Sequence, residues 1–204
     1  MNIENPELGI YIYKNIIPNS HLIPGKIEKV IESNPDLPFF KWKQAKVGDE
    51  ELLLQYRNCY DFKVCDNDFN FPKRNQQGLK EFYDEVTSVS DMAVRDHSAK
   101  YNIRMDYREA VNFVKYGQGE HFDVHSDHGD EYTCTVSSVM YLNDDYEGGE
   151  LYFKNFNYTY TPSAGDVVIC PSNYMYAHAS LPVKSGIKYS AVTMYDWTDK
   201  FHKQ

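Results

Sequence analysis

From residue 110 onward the sequence breaks into eight short strand-like pieces with no helical segment between them. They are AVNFVKY (110–116), EHFDVHSD (120–127), YTCTVSSVMYLN (132–143), ELYFKNF (150–156), YTYTP (158–162), DVVICP (166–171), YMYAHAS (174–180) and GIKYSAVTMYDW (186–197). Gly, Asn, Asp and Pro punctuate them, and β-branched and aromatic residues fill them. Without helices between the pieces, βαβ units and a parallel sheet are excluded. The fold class expected is therefore mainly β with flanking helices around a double-stranded β-helix (jelly roll) core.

The first half has a different texture. GIYIYKNI (9–16) reads as a strand, ended by a turn through Pro18, Asn19 and Ser20. Ser20 is placed to cap a helix over about 21–33 that begins in earnest near Pro24 and Gly25. ELLLQYR (51–57) fits a short strand or a helix equally. CDNDFNFPKRNQQG (65–78) is a polar loop carrying Phe69 and Phe71, and a lid over a site is its functional reading. A long helix follows over 78–100, where Leu79, Phe82, Tyr83, Val86, Val89, Met92 and Ala93 recur at helical intervals and predict one core-facing stripe. At 204 residues the chain suits one domain over 1–204, with the N-terminal strand and helices (1–105) packed on a barrel at 106–200.

A formal net charge of -9 leaves no broad basic face, which argues against nucleic acid and anionic membranes as partners. Asn2, Glu4 and Glu7 interrupt any hydrophobic leader, and no apolar run approaches membrane-spanning length. Cys59, Cys65, Cys134 and Cys170 form no CxxC or zinc-ribbon spacing, and Cys134 and Cys170 lie in apolar runs as free thiols. These features together read as a soluble, cytoplasmic, reduced protein.

The stretch EHFDVHSDHG (120–129) holds two His-x-Asp triplets, His121–Asp123 and His125–Asp127. Residues two apart on a strand share a face, so either triplet could grip one ion, and all four side chains align if the strand runs unbroken. Four ionisable groups on one inward face need a partner charge or water. The remaining histidines are His21, His97, His128, His178 and His202. His178 stands out as a third ligand, because it lies on a late strand that a barrel brings beside an earlier one. Two histidines and a carboxylate make a facial triad that leaves positions open on Fe(II), although zinc accepts the same donors.

The second half resembles the Fe(II)- and 2-oxoglutarate-dependent dioxygenases, and within them the prolyl 4-hydroxylase-like group. YGQGEHFDVHSDHG (116–129) is similar to that group's tyrosine, glycine and HxD signature. MYLNDDYEGGELYF (140–153) resembles its strand, turn and Gly-Gly-Glu segment. PSAGDVVICPSNYMYAHASLPVKSGIKYSAVTMYDW (162–197) resembles the remainder, with distal histidine, Pro-Val, glycine and lysine in order. The likeness is close over 110–197. It implies that His125, Asp127 and His178 are the metal ligands and catalytic centre. His121 then belongs to the rim, and Asp123 stands where substrate passes.

The same resemblance implies 2-oxoglutarate and O2 as co-substrates, with ascorbate as reductant. It assigns Lys188 to the far carboxylate of 2-oxoglutarate, with the hydroxyls of Tyr116 and Tyr141 approaching the same molecule. Lysine is a point charge and needs companion donors where arginine would bring its own fork. Some collagen-type relatives carry threonine where this chain has Leu151, which weakens assignment to that branch. Gly148 and Gly149 are read as a tight turn with positive φ, and Asn143 as a strand-end cap. The activity implied is hydroxylation of proline in a peptide or protein, releasing succinate and CO2. Tyrosines at 11, 13, 158, 160, 174 and 176 are candidates to line a groove for such a chain, with Trp42 and Arg57 at its entrance. The sequence is also compatible with a free amino acid or other small molecule as substrate. A metal-binding jelly-roll protein without catalysis is a further alternative, which a missing ligand or missing cation would favour.

Overall fold

The computed structural model describes residues 2–35, 40–47, 52–70, 77–129 and 132–201. The first half supplies β1 (Asn2–Glu7), β2 (Ile10–Lys14), helix α1 (Ile23–Ser33), β3 (Lys43–Gln44), β4 (Arg57–Asn58), β5 (Tyr60–Val64) and helix α2 (Gln77–Lys100). The second half supplies β6 (Tyr107–Arg108), β7 (Val111–Tyr116), β8 (His121–His125), β9 (Val136–Tyr141), β10 (Glu147–Gly148), β11 (Leu151–Phe153) and β12 (Tyr158–Tyr160). It continues with β13 (Val167–Pro171), β14 (His178–Ser180), β15 (Val183–Ser185) and β16 (Lys188–Asp196). The larger sheet runs β1-β2-β13-β9-β16-β7-β5-β3, with β6 also on β16. The smaller sheet runs β12-β11-β14-β8-β4, and β10 and β15 form a separate ribbon. Every pairing is antiparallel, as two facing sheets of a jelly roll require.

Alternation along the strands builds two cores. Val167, Ile169, Met140, Ala191 and Tyr13 face the helices, where they meet Ile27 of α1 and Phe82, Val86 and Ala93 of α2. Their neighbours Val168, Cys170, Val139, Tyr141 and Ile12 face inward, against Leu151, Phe153 and Tyr160 of the smaller sheet. The central strand β9 is buried at every position because both its faces are covered. Its two serines divide between the faces. Ser138 bonds Ser90 of α2 at 2.8 Å, while Ser137 points into the barrel.

Helix α2 follows its periodicity, with Leu79, Phe82, Tyr83, Val86, Ala93 and Val94 buried. Met92 lies off the stripe and is exposed, and Val94 takes the place expected of it. Ser20 is not a cap. It is buried at the start of a 3-10 turn, Ser20–Leu22, and α1 begins at Ile23 without a side-chain cap bond, with Pro24 in its first turn. The ambiguous 51–57 stretch becomes a turn at 54–56 that leads into β4. YMYAHAS divides into a 3-10 turn, Tyr174–Tyr176, capped by Asn173, and the strand β14.

The 65–78 stretch does not present Phe69 to a site. Asp66–Asn70 is a 3-10 turn, and Phe69 packs against Tyr83 of α2 with ring centroids 5.0 Å apart. Phe71 lies outside the described residues. Trp42 likewise belongs to the helix side. Its indole donates to Glu28 of α1, and its ring packs on Phe62. The six tyrosines share no single face: Tyr13 faces the helices and bonds Asp96, whereas Tyr160 sits between the sheets and bonds Asp166. All four cysteines are free, and Cys59, Cys134 and Cys170 are buried. No helix among the described residues is long and apolar enough to cross a membrane.

Candidate metal and co-substrate site

The second of the two triplets is the one that converges. His125 ends β8, His178 opens β14, and the two face each other in the ladder. Asp127 lies two residues past the end of β8. One ligand atom from each of these three residues lies within 4.8 Å of the others. His125 Nε2 is 3.6 Å from Asp127 Oδ1, and His178 Nε2 is 3.8 Å from Asp127 Oδ2. Each imidazole is oriented by a backbone carbonyl. His125 Nδ1 meets Asp123 O at 2.8 Å and His178 Nδ1 meets Tyr176 O at 3.1 Å. A proton on each Nδ1 serves those contacts and leaves each Nε2 lone pair aimed at the common point.

The first triplet keeps its own pair together, with His121 Nε2 3.7 Å from Asp123 Oδ1, but among the described residues it gathers no third ligand, because β8 does not run unbroken. From His178 to Ser180 β14 advances two residues, while β8 moves three, from His125 back to Phe122. That bulge brings Phe122 and His125 onto one face, with rings 3.6 Å apart and 11° from parallel. Asp123 is turned outward, its side chain 57% exposed. His121 is held by Gln55 O at 3.2 Å. His97 is buried against Gly9 O, His128 contacts Cys134 O, and His202 lies outside the described residues.

Electrostatics suit a cation at the common point. Burial raises the Asp127 carboxyl's affinity for its proton. The nearby His178 and His125 rings and the hydrogen bond from Ser137 outweigh that, holding it well below the usual carboxylate range. Burial lowers the pKa of His178 despite Asp127, so its imidazole favours the neutral, ligating form. An ionised carboxylate with two imidazoles is the donor set that Fe(II) or zinc accepts.

Lys188 opens β16 opposite Tyr116 of β7. It is 2% exposed, and its ammonium donates to Gly149 O at 2.7 Å and Ser180 Oγ at 2.8 Å. Among the described residues no carboxylate lies within ion-pair distance of it. The rings of Tyr116 and Tyr141 flank it, with centroids 5.0 and 5.3 Å from Nζ. Burial pushes the Lys188 pKa down to about 7. The hydroxyl of Tyr141 is buried without a hydrogen-bond partner. A buried ammonium with no carboxylate in ion-pair distance among the described residues, flanked by the Tyr141 ring with its orphaned hydroxyl, fits the far carboxylate of 2-oxoglutarate.

Several contributors escaped the sequence reading. Ser180 and the Gly149 carbonyl hold Lys188, Ser137 bonds Asp127, and Phe122 stacks on His125. A serine pair inside the otherwise apolar VSSVMY was a legible signal, because polar groups in a buried strand need dedicated partners. Gly149 is more than a turn residue. With φ 65° it lets its carbonyl reach Lys188, and a Cβ there would lie 3.0 Å from Lys188 Cδ. Arg57 does lie beside the site. Its guanidinium is 4.8 Å from the Phe122 ring, while Asp61 and Lys46 O accept its hydrogen bonds.

Comparison with known proteins agrees with this geometry. Residues 111–196 match the family described as the 2OG-Fe(II) oxygenase superfamily. A protein of Acanthamoeba polyphaga mimivirus, named as a candidate prolyl 4-hydroxylase, is 27% identical over 164 residues. The match covers 68% of this chain and 65% of that protein, so the chain spans just under two thirds of the relative's length. Among solved structures, a Trichoplax adhaerens prolyl hydroxylase in complex with a hypoxia-inducible-factor peptide fragment superposes with a TM-score of 0.70 at 16% identity. That match covers 92% of this chain and 83% of the other. A Pseudomonas putida prolyl-4-hydroxylase gives a TM-score of 0.66 at 16% identity, covering 92% of each chain. A viral collagen prolyl hydroxylase of Paramecium bursaria Chlorella virus-1 gives 0.62 at 17% identity, covering 92% of this chain and 95% of the other. At these identities the superpositions speak for the jelly-roll fold. The family match spans the strands that carry His125, His178 and Lys188, so this part of the chain is similar to the 2OG-Fe(II) oxygenase superfamily, and the mimivirus relative shares that likeness over 68% of the chain.

Proposed function

We propose that the chain is an Fe(II)- and 2-oxoglutarate-dependent dioxygenase that hydroxylates proline in a peptide or protein. The observation that carries the proposal is the joint placement, inside one barrel, of a converging His125–Asp127–His178 triad and a buried Lys188 with no carboxylate in ion-pair distance among the described residues. His125, Asp127 and His178 would hold Fe(II). Lys188 would pair with the far carboxylate of 2-oxoglutarate, and Tyr141 would donate its orphaned hydroxyl to the same group. Tyr116, whose ring packs on Lys188, would bring its hydroxyl toward the same molecule. When bound, Fe(II) with 2-oxoglutarate and O2 supplies the oxidation, converting a substrate C–H to C–OH as 2-oxoglutarate becomes succinate and CO2.

The chain's own share is orientation and dryness. The carbonyls of Asp123 and Tyr176 fix the imidazoles, and Val139, Leu151 and Phe153 line the interior between the sheets. The proline assignment rests on the family group and on the named activities of the relatives.

The test is mass spectrometry of a proline-rich peptide library incubated with the protein, Fe(II), 2-oxoglutarate and ascorbate. The expected result is a gain of one oxygen on proline that is absent with His125→Ala. Succinate release without any proline product would move the substrate to another residue or to a small molecule. No succinate and no product from metal-loaded protein would favour a silent binding protein.

A further inference from the structure

Asp127 presents a mechanical problem. His125 and His178 sit in a ladder, but Asp127 lies beyond the end of β8, where no strand pairing fixes it. Its carboxylate can rotate, and a rotated carboxylate can offer a metal both oxygens instead of one. Attachment through both would take a position that 2-oxoglutarate and O2 need on an open facial site.

Two buried serines meet this carboxylate. Ser137 on β9 is 0% exposed, and its Oγ lies 2.5 Å from Asp127 Oδ2. Ser172, just past β13, is 2% exposed, and its Oγ lies 2.7 Å from Ser137 Oγ. A hydroxyl has one hydrogen to give. An ionised carboxylate only accepts, so Ser137 donates to Asp127 and Ser172 must donate to Ser137. The direction of the relay is therefore fixed: Ser172 to Ser137 to Asp127. Both serines are anchored in the larger sheet's framework, through the β9 ladder and through Ser172 N to Thr135 O. Ser138, the next residue, spends its hydroxyl on helix α2 instead, so the inward hydroxyl is specific to position 137.

We infer that Ser137, oriented by Ser172, is a positioning residue that holds Asp127 to one-oxygen attachment of the metal. The inference rests on the triad being the metal site, and it adds a residue that acts only through Asp127. It makes the larger sheet, and not the strand that carries the aspartate, the part of the fold that sets the third ligand.

The experiment uses Co(II) as the probe, added to the chelator-treated chain of 204 residues. Affinity is read by competition with a chromophoric chelator, and coordination by the visible absorption of bound Co(II). Ser137→Ala is expected to weaken Co(II) binding about tenfold, the lower end for loss of a partner that orients a ligand, and to change the visible spectrum. Ser137→Thr keeps the hydroxyl and is expected to restore both. Ser172→Ala leaves the Ser137 donor in place and is expected to give a smaller loss of affinity in the same direction. It also serves if Ser137→Ala fails to fold. Affinity and spectrum unchanged in Ser137→Ala, or the same loss in Ser137→Thr as in Ser137→Ala, would overturn the inference while leaving the metal site intact. No Co(II) binding by the unaltered protein would overturn the metal site itself, and the role of Ser137 with it.

Discussion

Lys188 is the residue whose surroundings make the sharpest demand. A lysine this deep, bonded among the described residues to a carbonyl and a hydroxyl, is stabilised as a cation by an incoming carboxylate and destabilised by its burial until one arrives. Its pKa in the ligand-free protein, about 7, sets a pH window. Above that pH the free site holds a neutral amine, and binding a carboxylate must first recover the proton. The affinity for 2-oxoglutarate is therefore expected to fall roughly tenfold per pH unit above about 7, as calorimetry at pH 6.5, 7.5 and 8.5 would show. The stability consequence has the opposite sign. Between about 7 and its ordinary value the unfolded chain binds more protons at this lysine than the folded one, so the lysine's contribution to folded-state stability rises with pH there. Lys188→Met is accordingly expected to compare best with the natural protein near pH 6 and to lose ground toward pH 9. Parallel denaturation curves at both pH values check this, and an unchanged difference would contradict it. The order of motifs made Lys188 legible in the sequence, but nothing there showed that Gly149 O and Ser180 would hold it.

At the scale of elements, short irregularities place the groups that regular strands would misplace. The bulge in β8 decides which His-x-Asp triplet faces inward, and alternation alone could not, because it put both triplets on one face. The family resemblance resolved that choice from sequence. The cause, a step of three residues against two, became visible only in the pairing. The Gly148–Gly149 turn has a comparable role. Gly149→Ala would place a non-glycine at φ 65° and press on the Lys188 side chain. A cost of about 1–2 kcal/mol in stability is expected from the backbone, together with weaker 2-oxoglutarate binding and unchanged Co(II) binding. Equal losses in both ligands would mean that the turn acts on the barrel as a whole and not through Lys188. Helix α2 and a strand in each of the eight strand-like pieces are readable from periodicity and punctuation, although ELYFKNF and YMYAHAS each also hold a 3-10 turn. The two-residue strands β3, β4, β6 and β10 are not, because a pair of residues carries no period.

In the whole molecule the N-terminal hairpin is part of the scaffold. Strand β2 pairs with β13, and Ile10, Ile12 and Tyr13 are fully buried, with Ile12 between the sheets and Tyr13 toward the helices. Burying each such side chain is worth roughly 1.5–3 kcal/mol, and most domains have only about 5–15 kcal/mol in total. Deleting residues 1–14 is thus expected to abolish the cooperative melt and with it Co(II) binding. A truncated chain that melts cooperatively and binds Co(II) as tightly as the full one would contradict this role. The sequence read as barrel and appendage. Strands from both halves share one sheet, a long-range pairing that no local pattern could announce.

The central claim is that the triad and Lys188 act on one bound molecule from two ends. The most direct measurement is anaerobic calorimetry of 2-oxoglutarate binding to Fe(II)-loaded protein, to metal-free protein, and to Fe(II)-loaded Lys188→Met. Tight binding is expected only in the first case, with a large loss in each of the other two. Equal binding in all three, or none in the Fe(II)-loaded protein, would contradict it.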